Sequence, residues 1–110
     1  MAIWYPRYLG DYAKSTSDLS TLEHGILTLL LDYYYANGPM PQDWYRLYRV
    51  TKAGRANSTR AIVRSIVERY FAIEADLMWH NKRADQERLK MSARSDRAKG
   101  LVQKRWLKSV

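Results

Sequence analysis

Few side chains in this chain of 110 residues are of a type and spacing that would make or break bonds. Cysteine is absent, which removes a thiol nucleophile, a zinc–cysteine site and any disulfide framework. The two histidines, His24 and His80, have no metal-type spacing, and the five glycines are scattered rather than gathered into a phosphate-cradling loop. Asp11, Asp18 and Asp32 stand apart, with nothing to converge them. The expectation is no enzyme, no cofactor and no metal. What remains is cationic chemistry: 19 Lys and Arg against 11 Asp and Glu give a formal charge of +8. Ammonium and guanidinium groups bind phosphate, so nucleic acid is the first partner to consider, although net charge alone supports only non-specific attraction.

The charge is unevenly spread. Residues 1–45 hold two bases against five acids, a net −3, and residues 46–110 hold seventeen bases against six acids, a net +11. The acidic part is also the part richest in Leu and Tyr. An apolar scaffold that carries a basic second half is the simplest description. No signal-peptide pattern opens the sequence, and the longest apolar run, Ile26 to Leu31, is far short of the roughly 20 residues of a membrane span. A soluble intracellular protein without membrane contact is expected.

The elements that would position the cations follow from caps and periodicity. Residues 1–19 form an aromatic lead-in, with Trp4, Tyr5, Tyr8 and Tyr12 expected to lie on the body of the domain. Ser20 and Glu23 spell a capping box, so a helix should run to about Ala36, where Asn37-Gly38-Pro39 ends it. Leu22, Ile26, Leu29, Leu30 and Tyr33 share one stripe of this helix, widened by Leu27, Leu31, Tyr34 and Tyr35, which makes it central. His24, on its first turn, is expected to be a packing residue. A second, short helix should start at Asp43 and end near Val50, with Trp44, Leu47 and Tyr48 inward. After a turn at 52–57, Ser58 is expected to cap a third helix from Thr59 to about Tyr70, with Ile62, Val63, Ile66, Val67 and Tyr70 inward. Phe71, Ile73, Leu77 and Trp79 alternate about Glu74-Ala75-Asp76, the pattern of a β-hairpin, and His80 ends its second strand. From Lys82 a solvated basic helix should continue to about Lys99.

Three helices and a hairpin are the layout of a winged helix, a variant of the helix-turn-helix. The expected fold is thus mainly α and winged-helix-like, with residues 1–81 as the domain and 82–110 as a basic C-terminal helical extension. The expected nucleic-acid-binding residues are Arg46, Arg49, Lys52, Arg55, Arg60 and Arg64, joined by Arg83, Arg88, Lys90, Arg94 and Arg97 from the extension. Arg60 and Arg64, four apart, should share the face of the third helix opposite its apolar stripe. Their chemistry allows phosphate contact or bidentate reading of guanine. Glu74 and Asp76 at the hairpin tip would repel phosphate. Trp106 and Leu107 are the expected partner-binding pair, on the domain, a second copy in a dimer, or another protein.

Several short motifs occur together: Tyr8-Leu9-Gly10-Asp11-Tyr12, then Glu23-His24-Gly25, then Leu29-Leu30-Leu31-Asp32-Tyr33-Tyr34, then Gly38-Pro39-Met40-Pro41. With the continuation through Phe71 to Lys82-Arg83-Ala84-Asp85-Gln86-Glu87, they resemble the YdaU-type family of phage and prophage proteins over about residues 4–90. Members of that family resemble the N-terminal winged-helix modules of phage replication initiators and replisome organisers. The resemblance implies DNA binding in phage replication. RNA is kept as an alternative ligand of the same basic surface, and the bacterial cytoplasm is the expected location. It also implies that a helicase-recruiting C-terminal part, present in many members, is missing here. A second expectation is a protein-binding phage module that adapts or inhibits a host complex, of the anti-CRISPR kind. The Tyr8–Tyr12 and Glu23–Gly25 motifs lie in the apolar, acidic half and are expected to be architectural.

Overall fold

The structure is a computed structural model and describes residues 14–94. Helix α1 spans Thr21–Asn37, α2 Trp44–Val50 and α3 Asn57–Tyr70. Strands β1 (Ala72–Ile73) and β2 (Trp79–His80) follow, and residues 82–94 form α4. The described chain is mainly helical with one small two-stranded antiparallel sheet, in the expected order of three helices and a hairpin. The expected aromatic lead-in up to Tyr12, and Arg97, Lys99, Trp106 and Leu107, lie outside the described residues.

Helix α1 begins with the capping box that its sequence spells. The Glu23 amide donates to Ser20 Oγ at 3.2 Å, and the Ser20 amide donates to Glu23 Oε1 at 3.0 Å. These bonds satisfy amides that the first helical turn otherwise leaves open. The helix ends at Gly38, whose amide donates to the Tyr34 carbonyl at 2.7 Å. Gly38 has φ 86° and ψ −156°, a mirror-extended conformation that only glycine takes readily. The expected glycine stop is therefore present, in a different region from the left-handed helical one.

Ile26, Leu27, Leu30 and Tyr34 bury one side of α1 against α2 and α3. Leu47 and Tyr48 come in from α2, and Val63, Ile66 and Val67 from α3. Each fully buried aliphatic side chain contributes about 1.5–3 kcal/mol. Leu22 departs from the expected stripe and is 51% exposed, because the first turn of α1 extends beyond the region where the other helices cover it. The segment before α1 is tied to the end of α3. Arg69 grips the Asp18 carboxylate at 2.9 and 3.0 Å, which holds that carboxyl below its usual range, and Tyr70 Oη donates to the Ser15 carbonyl.

Helix α3 starts two residues before its expected first residue, Thr59. Its N-cap is Ala56, which has no side-chain oxygen to offer, and Ser58 lies inside the helix. The cause is the preceding turn. Lys52 (φ 56°) and Gly54 (φ 69°) reverse the chain, and the Arg60 amide then donates to Ala56 O while Arg60 Nε donates to Gly54 O at 2.8 Å.

The hairpin pairs Ala72 with His80 and Ile73 with Trp79. A third segment joins it. Met40, in the turn between α1 and α2, exchanges two backbone hydrogen bonds with Trp79, at 2.8 and 3.0 Å. The Gly38–Pro41 turn is thereby stitched to the hairpin, with Met40 fully buried. Asn81 then caps α4: its Oδ1 accepts from the Ala84 amide, and its Nδ2 donates to the Tyr70 carbonyl. Ala84 and Glu87 are buried, so this end of α4 is docked on the domain and is not solvated all round as the charge pattern suggests.

Gly38 is the position where backbone conformation is most constrained. Gly38→Ala is expected to lower stability by about 1–3 kcal/mol, the cost of a side chain in that region. The guanidinium of Arg88, 2.8 Å from where the new Cβ would stand, is flexible and can withdraw. Urea denaturation of Gly38→Ala and of Gly38→Ala/Arg88→Ala should therefore show similar losses.

Candidate nucleic-acid interface

The cations of residues 46–64 converge on the α2–turn–α3 unit, although they stand on different elements. Arg46 and Arg49 are exposed on α2, and Lys52 and Arg55 are exposed in the turn. Two adjoining open clefts run across this surface. One, of about 670 Å³, is bounded by Trp44, Tyr45, Tyr48, Asn57, Arg60 and Arg64, with Gln42 and Asp43 at its rim. The other, of about 460 Å³, is bounded by Tyr45, Tyr48, Arg49, Lys52, Arg55 and Arg60. Tyr45, Tyr48 and Arg60 border both.

Rings, not acids, hold Arg60 and Arg64 of α3. The Arg60 guanidinium lies 4.7 Å from the Tyr48 ring centre and 5.7 Å from that of Tyr45. Arg64 lies 5.2 Å from the Trp44 ring and donates from Nε to Tyr48 Oη at 2.6 Å. The rings support one another, with Trp44 stacked on Tyr48 and Tyr45 edge-on to it. Such cation–π contacts contribute about 0.5–2 kcal/mol each. Arg60 and Arg64 are neighbours, as their spacing implies, but they lean onto α2 rather than project from the face opposite the apolar stripe. Directly opposite the buried Val63, Ile66 and Val67 of α3 stand Ser58, Ala61, Ser65 and Glu68, all exposed. Asp43, the one acid at the rim, accepts from the Arg46 amide and so caps α2.

The cations of α4 form separate groups. Arg83 and Lys90 line a cleft with Lys82 and Gln86. Arg88 lies against Gly38, in a cleft between the end of α1 and α4 that also includes Leu89 and Asp85. Arg94 is exposed further along α4. None of these clefts shares a residue with the two on α2 and α3.

A polar chain also fixes the hairpin. His80 stands between two carboxylates, with Asp85 Oδ2 at 2.8 Å from Nδ1 and Asp76 Oδ2 at 2.7 Å from Nε2. Tyr34, buried in α1, donates its hydroxyl to the other Asp85 oxygen. Only the imidazolium can donate to both acids, so Asp85 first and Asp76 second raise the His80 pKa above its ordinary 6.5. His80 in turn lowers that of Asp76. Burial, then the bond to Asp85, pushes the Tyr34 phenol up. One of the two acids at the hairpin tip is thus internally paired, and Glu74 remains exposed. The chain links α1, the hairpin and α4.

Sequence reasoning missed Tyr45 and the His80 chain. Tyr45 has an aromatic neighbour three residues on in Tyr48, yet its role depends on an arginine from another helix. His80 and Asp76 are four apart, but hairpin geometry alone brings them together. Among the described residues no group of three acids or histidines is placed to hold a metal ion, and no helix is long and apolar enough to cross a membrane.

Residues 3–88 match the model of a protein family, and the chain belongs to that family, described as a protein of unknown function (DUF1376). No curated protein and no solved structure matches it.

The His80 chain gives a pH dependence with a definite sign. The folded pKa of His80 is raised, so its stabilising contribution is complete below about pH 6.5 and is lost as pH rises through the folded value. That of Asp76 is lowered, so its contribution is present above its ordinary 3.8 and is lost as pH falls through the folded value. NMR titration of the His80 ring protons should give a midpoint above 6.5, and His80→Gln should remove the loss of stability on the alkaline side.

Proposed function

We propose that this chain is a small nucleic-acid-binding module of winged-helix type, encoded by a phage or prophage, that acts on DNA during phage replication. The observation that carries the proposal is the α2–turn–α3 surface. Five cations, Arg49, Lys52, Arg55, Arg60 and Arg64, line its two clefts with the rings of Trp44, Tyr45 and Tyr48, and Arg46 is exposed on α2 outside them. In a helix-turn-helix the second helix of the pair enters or crosses a groove and the first crosses the backbone, and α2 and α3 have that relation in sequence. The uncapped N-terminus of α3 adds a partial positive charge beside the same clefts, since Asn57 lines one of them. The backbone bridge of Met40 to Trp79 of the hairpin supports a winged helix over a plain three-helix unit. The resemblance of the motifs to phage replication modules supports the biological setting.

The hairpin is assigned a supporting role. Its tip combines Glu74 with the exposed Ile73 and Leu77, which neither attract phosphate nor match a polar backbone. The same apolar tip favours a second reading, in which the chain adapts or inhibits a host protein complex. A partner that co-purifies after nuclease treatment and is lost on Leu77→Asp would support that alternative.

Mobility-shift titration against duplex and single strands at two salt concentrations tests the main proposal. Binding should weaken steeply with salt, because each neutralised phosphate releases counterions. Lys52→Ala and Arg55→Ala should each reduce the slope of log K against log salt by about 0.9. Absence of binding at low salt would overturn the proposal.

A further inference from the structure

The chemistry of arginine leaves two uses open for Arg60 and Arg64, reading of guanine edges or contact with phosphate. Their geometry separates the two. To read a base, a recognition helix must send its side chains outward past the helix surface to the groove floor. At 100° per residue, the face of α3 directly opposite Val63, Ile66 and Val67 is formed by Ser58, Ala61, Ser65 and Glu68. That face holds no cation.

Arg60 and Arg64 lie instead on the flank toward α2, drawn back against the domain. Tyr48, the ring under Arg60, is itself 5% exposed, so the guanidinium 4.7 Å above it lies close to the protein surface. Each guanidinium is also anchored through its Nε. Arg60 Nε donates to the Gly54 carbonyl, and Arg64 Nε donates to the Tyr48 hydroxyl. No carboxylate among the described residues pairs with either. The free donors are therefore the terminal Nη groups of two fixed, adjacent cations beside one open cleft.

We propose that Arg60 and Arg64 form a preset clamp for the phosphodiester backbone, binding it without regard to base sequence. The ligand class is a polyanionic strand recognised by successive phosphates. The inference rests on the nucleic-acid function proposed above. Rigid guanidiniums lose little conformational freedom on binding, and bidentate Nη contacts suit phosphate oxygens. Tyr48 acts as a positioning residue: its ring carries one arginine and its hydroxyl aims the other.

Fluorescence anisotropy of the full chain with a panel of duplexes differing in G·C content, at two salt concentrations, tests the clamp. Arg60→Ala and Arg64→Ala should each weaken every duplex by the same factor of about tenfold, the loss of a charge-assisted hydrogen bond. Each should also reduce the salt slope by about 0.9. Tyr48→Phe keeps every charge and the ring but removes the Arg64 anchor. It should weaken binding of all duplexes with the salt slope unchanged, and circular dichroism should show it folded. A loss confined to guanine-containing duplexes would overturn the clamp while leaving nucleic-acid binding intact. Undiminished binding by both alanine variants would do the same. Failure of the unaltered chain to bind any duplex at low salt would overturn the clamp and the proposed function together.

Discussion

Tyr48 joins the core of this domain to its basic surface. Its ring is buried between α2 and α3, and its hydroxyl stands at the edge where it can accept from Arg64. An aliphatic residue there would close the seam equally well but would hold no cation. A polar residue would hold a cation but leave the core. The phenol does both, and the rings of Trp44 and Tyr45 extend the same surface. Among the described residues, Tyr48 is the side chain that touches both guanidiniums, Arg60 over its ring and Arg64 at its hydroxyl.

A second tyrosine organises the opposite end. Tyr34 is wholly buried on α1 beside Phe71, and its hydroxyl starts the path through Asp85 and His80 to Asp76. The path crosses three elements that the backbone alone connects weakly, since the sheet has only two residues in each strand. Met40 adds the third backbone link. An acidic hairpin in a basic protein is thus consistent with a structural part, with one of its acids engaged by an imidazolium rather than directed to a ligand.

Much of the fold was legible in the sequence because it follows local rules. The Ser20–Glu23 box, the Gly38 stop and the Asp43 cap each act within four residues, and all three appear where the sequence puts them. The hairpin followed from alternation about Glu74-Ala75-Asp76. The start of α3 was not legible, because Gly54 and Lys52 set it through a turn whose positive φ values no cap residue announces. The site was half legible. Residue type and spacing named Arg49, Lys52, Arg55, Arg60 and Arg64, which line the two clefts, but not that Arg60 and Arg64 lie on rings from the preceding helix. Helical periodicity fixes an angle about one axis and says nothing of which neighbour lies at that angle. Arg97, Trp106 and Leu107 remain expectations of the sequence alone.

In the proposed function nucleic acid binds on the α2–turn–α3 surface. The most direct test is an NMR titration of the isotopically labelled chain with a mixed-sequence duplex, following backbone amides and arginine Nε–H signals. Shifts are expected to concentrate on Tyr45, Lys52, Asn57 and the Nε–H groups of Arg60 and Arg64. Those signals staying fixed while the hairpin or α4 responds would contradict that placement.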